Sequence, residues 1–273
     1  MGTSTSTSAS TTTEQDYVPV EDWPDVTAML EGFGEPSLGA SDALEGSTFD
    51  IRFDNGWTIA HRFDGGTVTW TITEGDGAGM TGTHPYRAVE ARPGLFFIDF
   101  IKGEGAHASD VSIVLDRNDG RVTVADSNFI DRQGAVRMQT AILTGRVAGT
   151  GEIEPLRRSS ELVGRRIYYR YSPSEHYEHI YLNNGTFVWH CIHGAEQGLA
   201  DVDAATVYEL GDGIVMLHWS ESVMPVESFL VIDLVAQRSI GRMFCWDGPT
   251  LAPVHLPFDS RFTVLNETAY PTD

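Results

Sequence analysis

Two runs of short alternating segments align with each other along this chain, and that internal repeat limits it to a duplicated unit. Gly46 answers Gly164, Gly66 answers Gly185 and Trp70 answers Trp189, at offsets of 118, 119 and 119 residues. Gly66-Thr67-Val68-Thr69-Trp70 stands against Gly185-Thr186-Phe187-Val188-Trp189, and Gly94 to Ile98 against Gly213 to Leu217. Val111 to Asp116 answers Ser228 to Asp233 with a small slip.

The repeated unit reads as antiparallel strand. Thr48–Phe53, Trp57–Phe63 and Thr67–Ile72 are separated by Asn55-Gly56 and Asp64-Gly65-Gly66, which supply the positive φ of tight hairpins. Many short strands at even spacing predict barrels or sandwiches. The fold class is therefore all-β: two tandem antiparallel barrels or sandwiches with a short N-terminal helix. Residues 1–19 form a Ser/Thr-rich tail expected to be disordered. Residues 20–150 hold the first barrel with its leader helix, and 151–273 the second barrel, with a Gly/Ala/Thr/Glu linker near 146–154. In the leader, Val26, Met29 and Leu30 recur at helical spacing, Pro24 suits a first turn, and Gly32 or Gly34 closes it.

Charge narrows the partners. With 39 acidic against 18 basic residues the net charge is −21, so phosphate backbones and anionic lipid would be repelled. Neither nucleic acid nor membrane is expected. No window approaches the ~20 apolar residues of a membrane span, and no basic stretch followed by an apolar run marks a secretion signal. Two distant cysteines, Cys191 and Cys245, suit a reducing compartment without a disulfide framework. A cytoplasmic protein is expected, and a homodimer is left open.

Comparing the copies points to a site. At offset 118, Ile51, Phe53 and Ile59 become Tyr169, Tyr171 and Tyr177; at offset 119, Lys102 becomes Glu221. Residues two apart on a strand share a face, so if Ile51 and Phe53 point inward, Tyr169 and Tyr171 do too. The second half thus adds three phenols and a carboxyl group to a similar interior. The bland alternatives are packing tyrosines, common on pleated surfaces, and an exposed strand-end Glu221. Lys102 is read as a surface lysine before an anion site.

The second half resembles the phenolic acid decarboxylase family, a small lipocalin-like (calycin) barrel, and the resemblance implies two tandem lipocalin-like (calycin) antiparallel β-barrels for the whole chain. The likeness runs through Leu162 to Tyr171, Tyr177-Glu178-His179-Ile180-Tyr181, Thr186 to His193, and His218-Trp219-Ser220-Glu221. The two-barrel arrangement with its Trp23-Pro24 leader is similar to the molybdenum cofactor biosynthesis protein F (MoaF) family. The resemblance implies that Tyr169 and Tyr171 hold a substrate oxygen, Tyr177 supports them, and Glu221 moves a proton. Trp189, His190, His193 and Trp219 would complete the substrate pocket. The arginine that the decarboxylases carry after the second hairpin is missing from Gly198 to Val202, which removes the strongest partner for an oxyanion. His190 or His193 would stand in for it.

His176/His179 and His190/His193 are spaced by three residues. On strands that spacing sends each pair to opposite faces, so no metal site is expected, and no cofactor either. Cys191 lacks an evident triad. Gly75-Asp76-Gly77-Ala78-Gly79 follows a strand with no helix after it, which suits a cavity lid and not a phosphate cradle. The expected function is a cofactor-independent lyase or isomerase (decarboxylation, hydration or isomerisation). Its substrate would be a small aromatic or conjugated carbonyl or carboxylic compound in the second barrel. The alternative is a non-enzymatic small-molecule carrier, accessory to cofactor or secondary metabolism.

Overall fold

The computed structural model describes residues 17–269 and 271. The expected tail lies outside them up to residue 16.

Alternation and turn chemistry produce two all-antiparallel sheets. The first contains β1 (Thr48–Phe53), β2 (Thr58–Asp64), β3 (Thr67–Glu74), β4 (Thr81–Pro85), β5 (Arg87–Arg92), β6 (Leu95–Lys102), β7 (Ser109–Asp116), β8 (Arg121–Arg132) and β9 (Ala135–Val147). Its order is β4-β3-β2-β1-β9-β8-β7-β6-β5, so the two edges are consecutive strands and the sheet curls until β4 meets β6. This barrel is nearly closed.

The second contains β10 (Arg165–Arg170), β11 (His176–Asn183), β12 (Thr186–His193), β13 (Ala200–Gly211), β14 (Ile214–Ser220), β15 (Val226–Asp233), β16 (Arg238–Asp247) and β17 (Ala252–Glu267). Pairing of β10 with β17 closes it completely.

The leader is helical over α1 (Val26–Phe33), with Asp25 as N-cap and Gly34, at φ 64°, as C-cap. Pro24 therefore lies just outside the helix, not in its first turn, and a single 3-10 turn at Val20–Asp22 precedes it. The helix seats on the second barrel, although chain order grouped it with the first. Val26, Met29 and Phe33 join the core formed by Tyr169, Tyr177, Trp189 and Trp219.

Several strands lose their alternation because both faces are covered. β6, β7, β15 and β16 are buried at nearly every position. Their outer faces meet between the barrels, where Phe97, Val114, Phe229 and Val231 share one apolar cluster. Phe97 and Phe229 lie with ring centroids 6.1 Å apart.

At the centre of that interface sits Arg242, fully buried. Its Nε donates to Asp110 Oδ1 at 2.7 Å and to Ser112 Oγ at 2.9 Å, one Nη donates to Glu227, and the other to Ser127 Oγ at 3.0 Å. His255 Nε2 meets Asp99 Oδ2 at 2.5 Å beside it. Three carboxyl groups from both barrels, Asp99, Asp110 and Glu227, are thus gathered about one buried guanidinium and the partly exposed His255 imidazole, the pairing that buried charges require.

Candidate functional site

The interior of the second barrel is almost filled. A void of about 20 Å³ remains, lined by Met29, Phe33, Tyr171, Tyr177, His179, Trp189, Glu196, Trp219, Glu221 and Met243. That is room for about one water molecule. The apolar stopper is α1: Phe33 packs on Tyr171 at 4.9 Å between centroids and on Tyr177 at 5.9 Å, while Trp23 meets Trp189 edge-on at 5.8 Å.

Close approach of the helix needs Gly32. A Cβ there would sit 2.0 Å from Glu175 Oε1, and a Cβ at Gly194 would sit 2.0 Å from Glu175 Oε2. The two glycines flank the Glu175 carboxylate, which accepts the Ala195 N–H at 3.0 Å. Ser172 and Ser174 donate to the Gly32 carbonyl at 2.7 and 3.1 Å, tying down the helix end.

Polar atoms gather around the void with little to satisfy them. Tyr177 Oη donates to Glu196 Oε2 at 2.9 Å and leans on Glu175 Oε2 at 3.4 Å. Tyr171 Oη, Trp219 Nε1 and Glu221 Oε2 are sealed from solvent and have no hydrogen-bond partner. Part of residue Glu221 reaches the surface, yet its carboxyl end is enclosed.

Burial therefore dominates the acid strengths. Desolvation, with Glu196 and Asp203 nearby, raises Glu221 well above the ordinary carboxyl range and so favours its neutral form. The Trp219 indole opposes this weakly, outside hydrogen-bonding geometry. Desolvation likewise raises Glu196 to about 7, the Tyr177 hydroxyl pulling down and Glu175 pushing up. His179 falls to about 3 through burial and is neutral.

Of the residues singled out in the sequence, Tyr171, Tyr177, Trp189, Trp219 and Glu221 converge on the void. Tyr169 does not line it; its hydroxyl pairs with Tyr181 Oη at 2.9 Å in the packed interior. His190 faces outward, because residues alternate along β12, and it binds Glu178 at 2.9 Å beside Arg166. His193 is exposed at the strand end. Neither histidine can replace the missing arginine. Trp189 Nε1 is already engaged by Asp203 at 3.0 Å.

Glu196 escaped the sequence reading, and His179 entered it only as a histidine weighed for a metal site. A signal existed: Gly194 to Gly198 aligns at offset 119 with the glycine loop Gly75 to Gly79, placing Glu196 in the equivalent loop. His179 aligns with His61 at offset 118, and both are buried. Burial pushes the Cys191 thiol up to about 12, which removes it as a nucleophile.

Among the described residues, Asp99, Asp110 and His255 could bring three metal-binding atoms together. Arg242 already occupies Asp110 there, and the cluster lies between the barrels, away from the void.

The first barrel holds the larger space, about 390 Å³, lined among others by Trp57, His61, Trp70, Phe100, Lys102 and Asp126. Lys102 is no free surface lysine. It faces this cavity as Glu221 faces the other void, and Asp126 accepts its ammonium at 2.7 Å.

Two family models cover the chain in tandem: the MoaF N-terminal domain matches residues 21–131 and the MoaF C-terminal domain residues 156–268. This chain belongs to the MoaF family. Protein MoaF of Klebsiella aerogenes is 30% identical over 199 residues, spanning 68% of this chain and 76% of that one. A crystal structure from Burkholderia vietnamiensis, described as a candidate beta-lactamase, superposes with a TM-score of 0.34 at 15% identity. It covers 40% of this chain and 99% of its own, and at that score the likeness carries no argument. No helix among the described residues of this MoaF-family chain is long and apolar enough to cross a membrane.

Proposed function

We propose that the second barrel is the site of a cofactor-independent proton-transfer enzyme, an isomerase or hydratase of small conjugated carbonyl compounds. One observation carries the reading. Tyr171 Oη, Trp219 Nε1 and Glu221 Oε2 border a common void, buried and unpaired. Unpaired buried polar groups cost about 1–3 kcal/mol each, a cost that a ligand able to engage them would offset.

Protonated Glu221 and the phenol of Tyr171 both offer hydrogens to a carbonyl oxygen. Glu196, titrating at about 7, stands as the base for a proton alpha or gamma to that carbonyl. Two carboxyl groups with separated proton affinities supply the acid and base of one cycle. In an isomerisation Glu196 takes a carbon-bound proton while Glu221 protonates the oxygen. The resulting dienol returns its hydroxyl proton to Glu221 as carbon regains one from Glu196. Decarboxylation is the weaker option, since no cation lines the void to hold a carboxylate beside Glu196. Substrate enters when α1 lifts away, because Met29 and Phe33 occupy the remaining space.

A panel of aromatic enones and enoic acids tests the reading by absorbance. Turnover lost in Glu221→Gln, with ligand affinity kept within a few-fold, supports the enzyme. Tight binding with no conversion of any member by wild-type protein would instead favour a carrier.

A further inference from the structure

The two barrels are chemical counterparts, and only one is stoppered. Phe53 and Tyr171, His61 and His179, Trp70 and Trp189, and Lys102 and Glu221 pair at offsets of 118 or 119 and all line the two interiors. Where α1 places Met29 and Phe33 in the second barrel, the described residues put no helix over the first. Its space is about 390 Å³ against about 20 Å³. Cavities of a few hundred Å³ with apolar walls and a few fixed polar groups are the usual form of small-molecule sites.

The chemistry of the walls selects the occupant. Trp57, Trp70 and Phe100 give flat aromatic surfaces, and His84 stacks between the rings of Trp70 and Phe100 at 6.5 and 5.8 Å, holding both in place. Burial lowers His61 to about 4, so it is uncharged at neutral pH. Lys102 is the one cation among the lining side chains, and its charge is matched by Asp126 at 2.7 Å. With the pair matched and the Asp76 carboxylate also in the lining, nothing there favours an anionic ligand. The pair does leave an ammonium with three N–H groups and one carboxylate partner, so a ligand oxygen can accept a charge-assisted hydrogen bond. At the mouth, Asp76 and Gly77 of the glycine loop line the cavity beside Met80, an apolar side chain 58% exposed, as suits an entry rim.

We infer that the first barrel is a separate binding site for a neutral, planar, mostly apolar molecule with one carbonyl or phenolic oxygen, which accepts a hydrogen bond from the Lys102 ammonium inside a wall of Trp57, Trp70 and Phe100. This site does not depend on Glu221 or on movement of α1.

The test uses the full chain and 6-propionyl-2-dimethylaminonaphthalene, a neutral naphthyl ketone whose emission shifts blue in apolar surroundings and red when its carbonyl accepts a hydrogen bond. Wild-type protein is expected to bind one equivalent. Lys102→Met should weaken binding about tenfold or more, the worth of a charge-assisted hydrogen bond, and move the bound emission to the blue. Val124→Phe, which fills the cavity from β8, should abolish binding, and Glu221→Gln should leave it within twofold. Asp126→Asn should keep the ketone within about threefold while raising affinity for the anionic 8-anilinonaphthalene-1-sulfonate, because the ammonium is then unmatched. Thermal unfolding of each variant checks that it folds, and Lys102→Met, at a partly exposed position, carries the test if Val124→Phe does not. Equal affinity and emission in wild type and Lys102→Met would overturn the assignment. So would stronger binding of the sulfonate than of the ketone to wild-type protein, or loss of binding in Glu221→Gln.

Discussion

Replacing Glu196 with glutamine isolates the energetic signature of a carboxyl group buried against its will. Glu196 is 4% exposed, so its charge gains little from solvent, and its pKa moves from 4.5 to about 7 on folding. Between those values the folded protein binds more protons than the unfolded chain, so stability falls as pH rises through the window. At 1.36 kcal/mol per pKa unit the loss amounts to about 3 kcal/mol by pH 8. Glutamine keeps the oxygen that accepts from Tyr177 but cannot ionise. Relative to wild type, Glu196→Gln should therefore be nearly neutral at pH 4 and more stable by about 3 kcal/mol at pH 8. Urea unfolding of both proteins from pH 4 to 8, read as the difference between them, cancels every other titrating group to first order. A constant difference across that range would refute the reasoning, for it would mean that Glu196 reaches water in the folded state. A difference growing with opposite sign would place a cation near it that the fold does not show.

Arg242→Met strands Asp110 and Glu227 without their cation and should cost about 3–5 kcal/mol in guanidinium unfolding; adding Asp110→Asn and Glu227→Gln should recover most of it. Loss below about 1 kcal/mol in the single variant would show that the network is not structural. Phe33→Ala empties the stopper, so a loss of about 3–5 kcal/mol is expected, with changed Trp fluorescence from the Trp23–Trp189 contact. Unchanged melting would mean that α1 is not held by that ring. His255 is lowered by burial but raised further by Asp99 and Asp110, for a net upward shift. Its contribution is fully present below about pH 6.5 and is lost as pH rises through the folded value. His255→Gln should flatten that descent in thermal melts, and a slope equal to wild type would count against the Asp99 contact.

Much of the architecture was legible because it is written in period-2 patterns and turn residues. The hairpin breaks at Asn55-Gly56 and Asp64-Gly65-Gly66 fall between the observed strands, and the constant offset implied the second barrel from the first. The interior tyrosines followed from the pleat, yet Tyr169 and Tyr171 share a face without sharing the void, since alternation fixes direction but not depth along the barrel. His190 and His193 entered the expected pocket through a resemblance, against the alternation that sends His190 outward. The seat of α1 was not legible at all. An amphipathic helix announces a face to bury and not the surface that will bury it. The interface between barrels left a mark in Leu95 to Ile101, Val111 to Leu115 and Ser228 to Ile232, whose missing alternation means cover on both sides.

The contrast between the halves follows from one helix and a few substitutions. An interior that exchanges Phe53 for Tyr171 and Lys102 for Glu221 would, if open, fill with water that satisfies those groups and returns Glu221 to ordinary acidity. Closing α1 over it withholds that water, and the same act that seals the barrel raises Glu221 and Glu196. Acid strength and helix position are thus one linked quantity: any ligand that holds α1 open should lower the Glu196 pKa, and deprotonating Glu196 should favour opening by the same free energy. In the first barrel the Lys102 charge is met by the Asp126 carboxylate at 2.7 Å, and that cavity stays open. Duplication therefore supplied two cups with different electrostatic solutions. The stoppered one holds the two carboxyl groups whose acidity burial weakens.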